Sequence, residues 1–178
     1  MILDILVEPD PRLHQVANPV ETVDAGILKT LDDMVETMYA SQGIGLAATQ
    51  VGILKRMIVV DVDWDPEKGV SSRKPLKLIN PEILWKAEEE AVLKEGCLSV
   101  PGQYADVIRP AGVKVKYLDI EGNPQEIEAS GILSACLQHE IDHLNGIVFL
   151  QHLSALRREM LMKKLLKVQR AEHANAKG

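Results

Sequence analysis

Apolar residues recur at Ile27, Leu28, Leu31, Met34, Val35 and Met38, the spacing of one helix face, and Asp24 stands where an N-cap belongs. The pattern then changes. "RMIVVDVDW" (56–64) and "LKLINPEIL" (76–84) read as strands on either side of a polar loop, "DPEKGVSSRKP" (65–75). Between Val92 and Glu128, short runs such as "ADVIRP", "VKVKYLDI" and "QEIEA" are separated by Gly and Pro, and a hairpin is predicted to turn at Gly122 to Pro124. A helix follows from about Ser130 to Leu144, stopped by Asn145 and Gly146. A last helix starts at a Ser154 cap and carries Leu156, Met160, Leu161, Leu165 and Val168 toward the body. Strands and helices are segregated along the chain, which predicts an α+β fold rather than an alternating parallel one.

At 178 residues the chain fits a single domain, 1–178, able to bury a core without disulfide staples. Only six residues are aromatic, so Ile, Leu, Val and Met must fill that core. The net charge of -6 argues against a surface given over wholly to nucleic acid. The charge is unevenly placed, however: residues 154–178, a C-terminal helix and tail, hold seven Lys or Arg against two Glu. The opening "MILDILVEPDPRL" has neither the basic start nor the apolar run of a signal peptide, and no membrane span is evident, so a cytoplasmic protein is expected. In a reducing compartment Cys97 and Cys136 are thiols or metal ligands rather than a disulfide.

"QHEIDHLNG" (138–146) carries the first chemical signal. On a helix His139 and His143 are one turn apart, a rise of about 6 Å with roughly 40° of rotation, so both rings can face one ion. Glu140 beside them can reach a water on the ion's open side. The same spacing also occurs on ordinary amphipathic helices, so a third ligand decides. Cys136 lies about 7 to 8 Å back along the axis, too far for a sulfur–metal bond of about 2.3 Å; it reads as a small apolar group near the site. Cys97, between Gly96 and Pro101 in "KEGCLSVPG", sits at a bend that could offer a thiolate from an adjacent segment. A cysteine in a loop is commonly no more than that, but one Cys and two His would leave the fourth position open, as a catalytic ion requires.

"GIGLAATQ" (43–50), "EGCLS" (95–99) and "QHEIDH" (138–143) together resemble the three signatures of peptide deformylases, in order and separation, over about Ile5 to Leu153. The resemblance implies antiparallel and mixed sheets packed around a central metal-binding helix, with a helix near each terminus. It implies that Cys97, His139 and His143 hold the metal, that Glu140 moves protons, and that Gln50 and the backbone N–H of Leu98 face the reacting carbonyl. Ferrous iron (Fe2+) is the implied metal, with zinc, nickel or cobalt as substitutes. The implied substrate is the formyl-methionyl end of a newly made protein, deformylated by a monomer.

Gly43, Ile44, Gly45, Glu95, Ile132 and Cys136 are the expected substrate wall, Glu95 also bracing the turn or Gln50, and Arg109 is expected to pair with Asp142. Tyr104 departs from those deformylases that carry Arg there to help dock the peptide. The basic final helix predicts attachment to ribosomal RNA. Two rivals share parts of the pattern: a metalloprotease of the H-E-x-x-H type, whose third ligand normally lies downstream, and a structural metal site, which needs a fourth protein ligand.

Overall fold

Asp24 caps the first helix as expected: its carboxylate accepts from the Ile27 N–H at 2.9 Å, and α1 runs Ala25–Ala40. Its face of Ile27, Leu31, Met34 and Met38 is buried. The architecture, seen in a computed structural model describing residues 1–177, is α+β. Strands β1 (Gly45–Ala47), β2 (Met57–Val60), β3 (Leu76–Lys86), β6 (Gly112–Leu118) and β7 (Pro124–Ser130) form one antiparallel sheet in the order β1-β2-β3-β6-β7. Strands β4 (Glu90–Cys97) and β5 (Val100–Pro110) form a separate antiparallel pair. The expected hairpin at Gly122 to Pro124 joins β6 and β7.

Helix α2 (Gly131–Leu144) packs against the larger sheet: Leu137, Ile141 and Leu144 share a cluster with Ile58, Val60, Leu78, Val113 and Val115. A second cluster lies between α1 and the same sheet. The third joins β5 to Phe149 and Leu150, in the 3-10 turn Phe149–His152, and to Leu165 of the C-terminal helix α3 (Ala155–Lys177).

Three local expectations need correction. The strand expected over 56–64 ends at Val60, because Asp61 turns inward to bind the backbone of Lys74. The expected loop 65–75 winds into 3-10 turns over Pro66–Ser72, capped by Asp65 accepting from the Glu67 N–H at 2.9 Å. The apolar stripe expected to dock α3 is mostly exposed: Leu156 at 67%, Met160 at 49% and Val168 at 46%. Of that stripe Leu161 and Leu165 do dock, joined by Met162 and continued by Gln169, whose Nε2 donates to the Glu8 carbonyl. Gly178, the end of the expected tail, lies outside the described residues.

Candidate active site

Two elements meet at the site: the tight turn between β4 and β5, and the buried face of α2. Cys97 ends β4 and pairs directly with Val100, so the bend expected around it is a two-residue turn over Leu98 and Ser99. His139 and His143 point from successive turns of α2. Cys97 Sγ lies 3.3 Å from His143 Nε2, and the two Nε2 atoms lie 3.2 Å apart. All three ligand atoms fall within 4.8 Å of one another. A tetrahedral ion with ordinary bond lengths would need about 3.3 Å between nitrogens and about 3.6 Å between sulfur and nitrogen. The donor set therefore fits a divalent metal.

Protonation supports the same reading. Glu95 Oε1 lies 2.8 Å from His139 Nδ1. Burial opposes the charge of Glu95, yet bonds from His139 and Arg109 outweigh it and hold the carboxyl down at about 2. An ionised Glu95 accepts, so His139 Nδ1 carries a proton. Burial opposes charge on that ring, yet hydrogen bonds to Cys97 and Glu95 raise it well above its usual range, so a metal taken up at Nε2 would displace a proton there. Burial above all holds His143 well below its usual range, neutral and able to ligate. Its Nδ1 and the Oε2 of Glu140 are the two buried side-chain atoms without a hydrogen-bond partner among the described residues. Burial pushes Glu140 up to about 7, a poise suited to taking and returning a proton.

Arg109 ties the set together from behind. It donates to both Glu95 oxygens, at 2.6 and 3.0 Å, and to Asp142 at 2.9 Å, the pairing that the resemblance implied. Glu95 lines the cavity, but its oxygens are occupied by Arg109 and His139, so it braces the metal-facing ring rather than the turn or Gln50.

Gln50 is fixed instead by Ala47, whose N–H donates to its Oε1 at 3.0 Å, and by Ser99, whose hydroxyl accepts from its Nε2 at 3.1 Å. That orientation leaves the amide N–H group beside Cys97, 3.5 Å from Sγ. Ser99, buried inside the "EGCLS" run, and His152, 2.8 Å from Asp142, had no assigned role in the sequence. Arg56 was also missed; it caps the end of α2 by donating to the Leu144 carbonyl at 3.1 Å. Only contacts distant in sequence reveal these roles.

A cavity of about 560 Å³ opens over the triad. Gly43, Ile44, Gly45, Gln50, Glu95, Cys97, Leu98, Tyr104, Ile132, Cys136, His139 and Glu140 all line it, so every expected substrate-wall residue is present. Gly45 is required by close approach: a Cβ there would lie 2.8 Å from Cys136 Sγ and 2.9 Å from Glu140 Cγ. Burial raises the Cys136 thiol well above its usual range, leaving a neutral, largely apolar lining.

The family model for polypeptide deformylase matches residues 2–159. The chain is 48% identical over 175 residues to the peptide deformylase of Rhizobium meliloti (strain 1021), covering 98% of each. It is similar to the crystal structure of peptide deformylase from Ehrlichia chaffeensis at a TM-score of 0.90 and 46% identity, covering 97% of this chain and 99% of that one. The structure of peptide deformylase from the same organism in complex with actinonin matches at a TM-score of 0.87 and 47% identity, covering 95% of this chain and 98% of that one.

Proposed function

Because the chain belongs to the polypeptide deformylase family, we propose that it removes the formyl group from formyl-methionine at the end of newly made proteins, releasing formate. The observation that carries this is the convergence of Cys97, His139 and His143 beneath a cavity lined also by Glu140, whose Oε2 has no hydrogen-bond partner among the described residues. These three residues would hold a divalent metal, which supplies an electrophile for the formyl oxygen and acidifies water. Ferrous iron is the proposed native ion; zinc, nickel and cobalt suit the same ligands.

Glu140 accepts a proton from the attacking water as the new C–O bond forms, then delivers it to the amine nitrogen as the C–N bond breaks. Gln50 Nε2 and the Leu98 N–H donate to the developing oxyanion. Arg109, Glu95 and Asp142 keep His139 in its ligating orientation. The walls at Gly43, Ile44, Gly45, Ile132 and Cys136 take the methionine side chain, and Tyr104 offers the peptide a ring and a hydroxyl rather than a cation.

The test is formate release from formyl-Met-Ala-Ser by protein loaded anaerobically with Fe2+. Turnover of that peptide, with internal bonds of unformylated peptides left intact, is expected. An intact formyl peptide, or cleavage inside the chain, would overturn the reading; the upstream thiolate ligand already disfavours a protease.

The enzyme is proposed to act in the cytoplasm as a monomeric single domain. Its α3 carries Arg157, Arg158, Lys163, Lys164, Lys167 and Arg170, a basic surface suited to ribosomal RNA. Salt-sensitive cosedimentation with ribosomes that vanishes on removing residues after Ser154 is the expected result, and unchanged cosedimentation would refute it.

A further inference from the structure

The segment between β2 and β3 holds an aromatic and charged cluster that the reaction does not use. Trp64 meets Tyr39 edge-on, with ring centroids 5.0 Å apart, and the Arg73 guanidinium lies 4.4 Å from the Tyr39 ring and 5.7 Å from that of Trp64. The Tyr39 hydroxyl donates to buried Asp61 at 2.6 Å, and Asp61 also accepts from the Lys74 N–H at 2.7 Å. None of these side chains lines the cavity.

The cluster reaches the cavity wall through two bonds, of which one comes from a side chain: Trp64 Nε1 donates to the Gly43 carbonyl at 2.9 Å, beside the Asp61 N–H on the Ile44 carbonyl. Gly43 lines the cavity, and a Cβ there would come 2.8 Å from Leu98 Cδ1, so Leu98 rests directly against it. The preceding Gln42 sits at φ 57°, a conformation unfavourable for a residue with a side chain. The chain therefore leaves α1 through a turn that needs fastening. Its fasteners are the Gly43 N–H bond to the Met38 carbonyl at 2.9 Å, the Asp61 N–H bond to the Ile44 carbonyl at 2.8 Å, and the bond from Trp64.

We propose that Trp64 is a positioning residue for substrate: by holding the Gly43 carbonyl it fixes the cavity wall against which the formyl-methionyl peptide lies, and so sets affinity rather than turnover. The inference rests on the deformylase reading of the cavity. Affinity is singled out because the ligand-bearing turn is tied down independently, by the Glu8 N–H to the Ser99 carbonyl at 2.9 Å and by Gln50 to the Ser99 hydroxyl. Loosening Gly43 moves the wall and leaves Cys97 in place.

Trp64→Phe keeps the ring contacts and removes only the donor. In the Fe2+-loaded enzyme, KM for formyl-Met-Ala-Ser should rise about 3- to 10-fold with kcat within about twofold of the parent, the signature of lost uniform binding. An unchanged KM, or a kcat that falls as far as kcat/KM, overturns the inference. Should Trp64→Phe fail to fold, Trp85→Phe decides, since it leaves Trp64 as the sole tryptophan: its emission should shift when the holoenzyme is saturated with the product Met-Ala-Ser, and an unmoved spectrum overturns the proposal. A parent enzyme that leaves formyl-Met-Ala-Ser intact would overturn the deformylase reading itself.

Discussion

Helices α2 and α3 divide polarity and burial in opposite ways. In α2, nine of fourteen residues are buried, among them a glutamine, a glutamate and two histidines. In α3, Leu165 is the one buried residue among those described, while Leu156, Met160 and Val168 face solvent. The difference lies in what surrounds each helix. Apart from Glu140 Oε2 and His143 Nδ1, polar groups of α2 are buried against built partners: Arg109 and Glu95 behind His139, Thr49 on the His143 carbonyl, and Pro110 with Ser134 on Gln138. Apolar groups of α3 have a partner only along the short seam on β5. Function should therefore fail first in α2 through polar changes, and α3 should respond only where its seam is touched.

The largest effect is expected at Glu140. Glu140→Gln removes the proposed proton carrier and should lower kcat by about 10²- to 10⁴-fold. Its melting temperature should not fall, because Glu140 is a buried acid with an unpartnered oxygen whose carboxyl burial has already pushed up to about 7. Formate release and thermal melts on one metal-loaded sample check both halves. A joint loss of activity and stability would mean that Glu140 also holds the helix.

Next comes Arg109, whose side chain is 6% exposed against 8% for Glu95. Arg109→Met strands a buried carboxylate and should cost about 3–5 kcal/mol in urea denaturation. Adding Glu95→Leu should recover part of that stability. The same double variant should still bind metal about 10- to 100-fold more weakly, because His139 Nδ1 loses its acceptor. Metal titration separates this outcome from a site that depends on fold alone.

These residues differ in how far the sequence reveals them. Helix α1 was legible because its cap and apolar face are local, and His139, Glu140 and His143 because one helical turn brings them together. Cys97 was legible as a ligand only through the three motifs together; its meeting with His143 spans 46 residues and has no local signature. The bracing role of Glu95 was hidden for the same reason, since only folding brings Arg109 and His139 to its two oxygens. Trp64 read as the end of a strand because the alternation past Val60 is real, whereas the inward turn of Asp61 that ends the strand depends on Tyr39 and Lys74. Periodicity finds an apolar face but not the extent of what it meets, which is why the stripe on α3 was overread.

The smallest effects lie within α3 and turn the helix comparison into one between two leucines. Leu165 is 1% exposed and packs with Leu161, Met162 and the β5 cluster, so Leu165→Ala should cost about 2–3 kcal/mol, the low end for a buried leucine because its helical neighbours are only half covered. Leu156 lies on the same helix but is 67% exposed, and Leu156→Ala should change stability by no more than about 0.5 kcal/mol. Removing its side chain leaves no cavity, and alanine propagates a helix at least as well as leucine, so little remains to be lost. Chemical denaturation of the two variants is the check. A cost at Leu156 approaching that at Leu165 would mean that the first turns of α3 are covered in solution, and that this helix has a second seam.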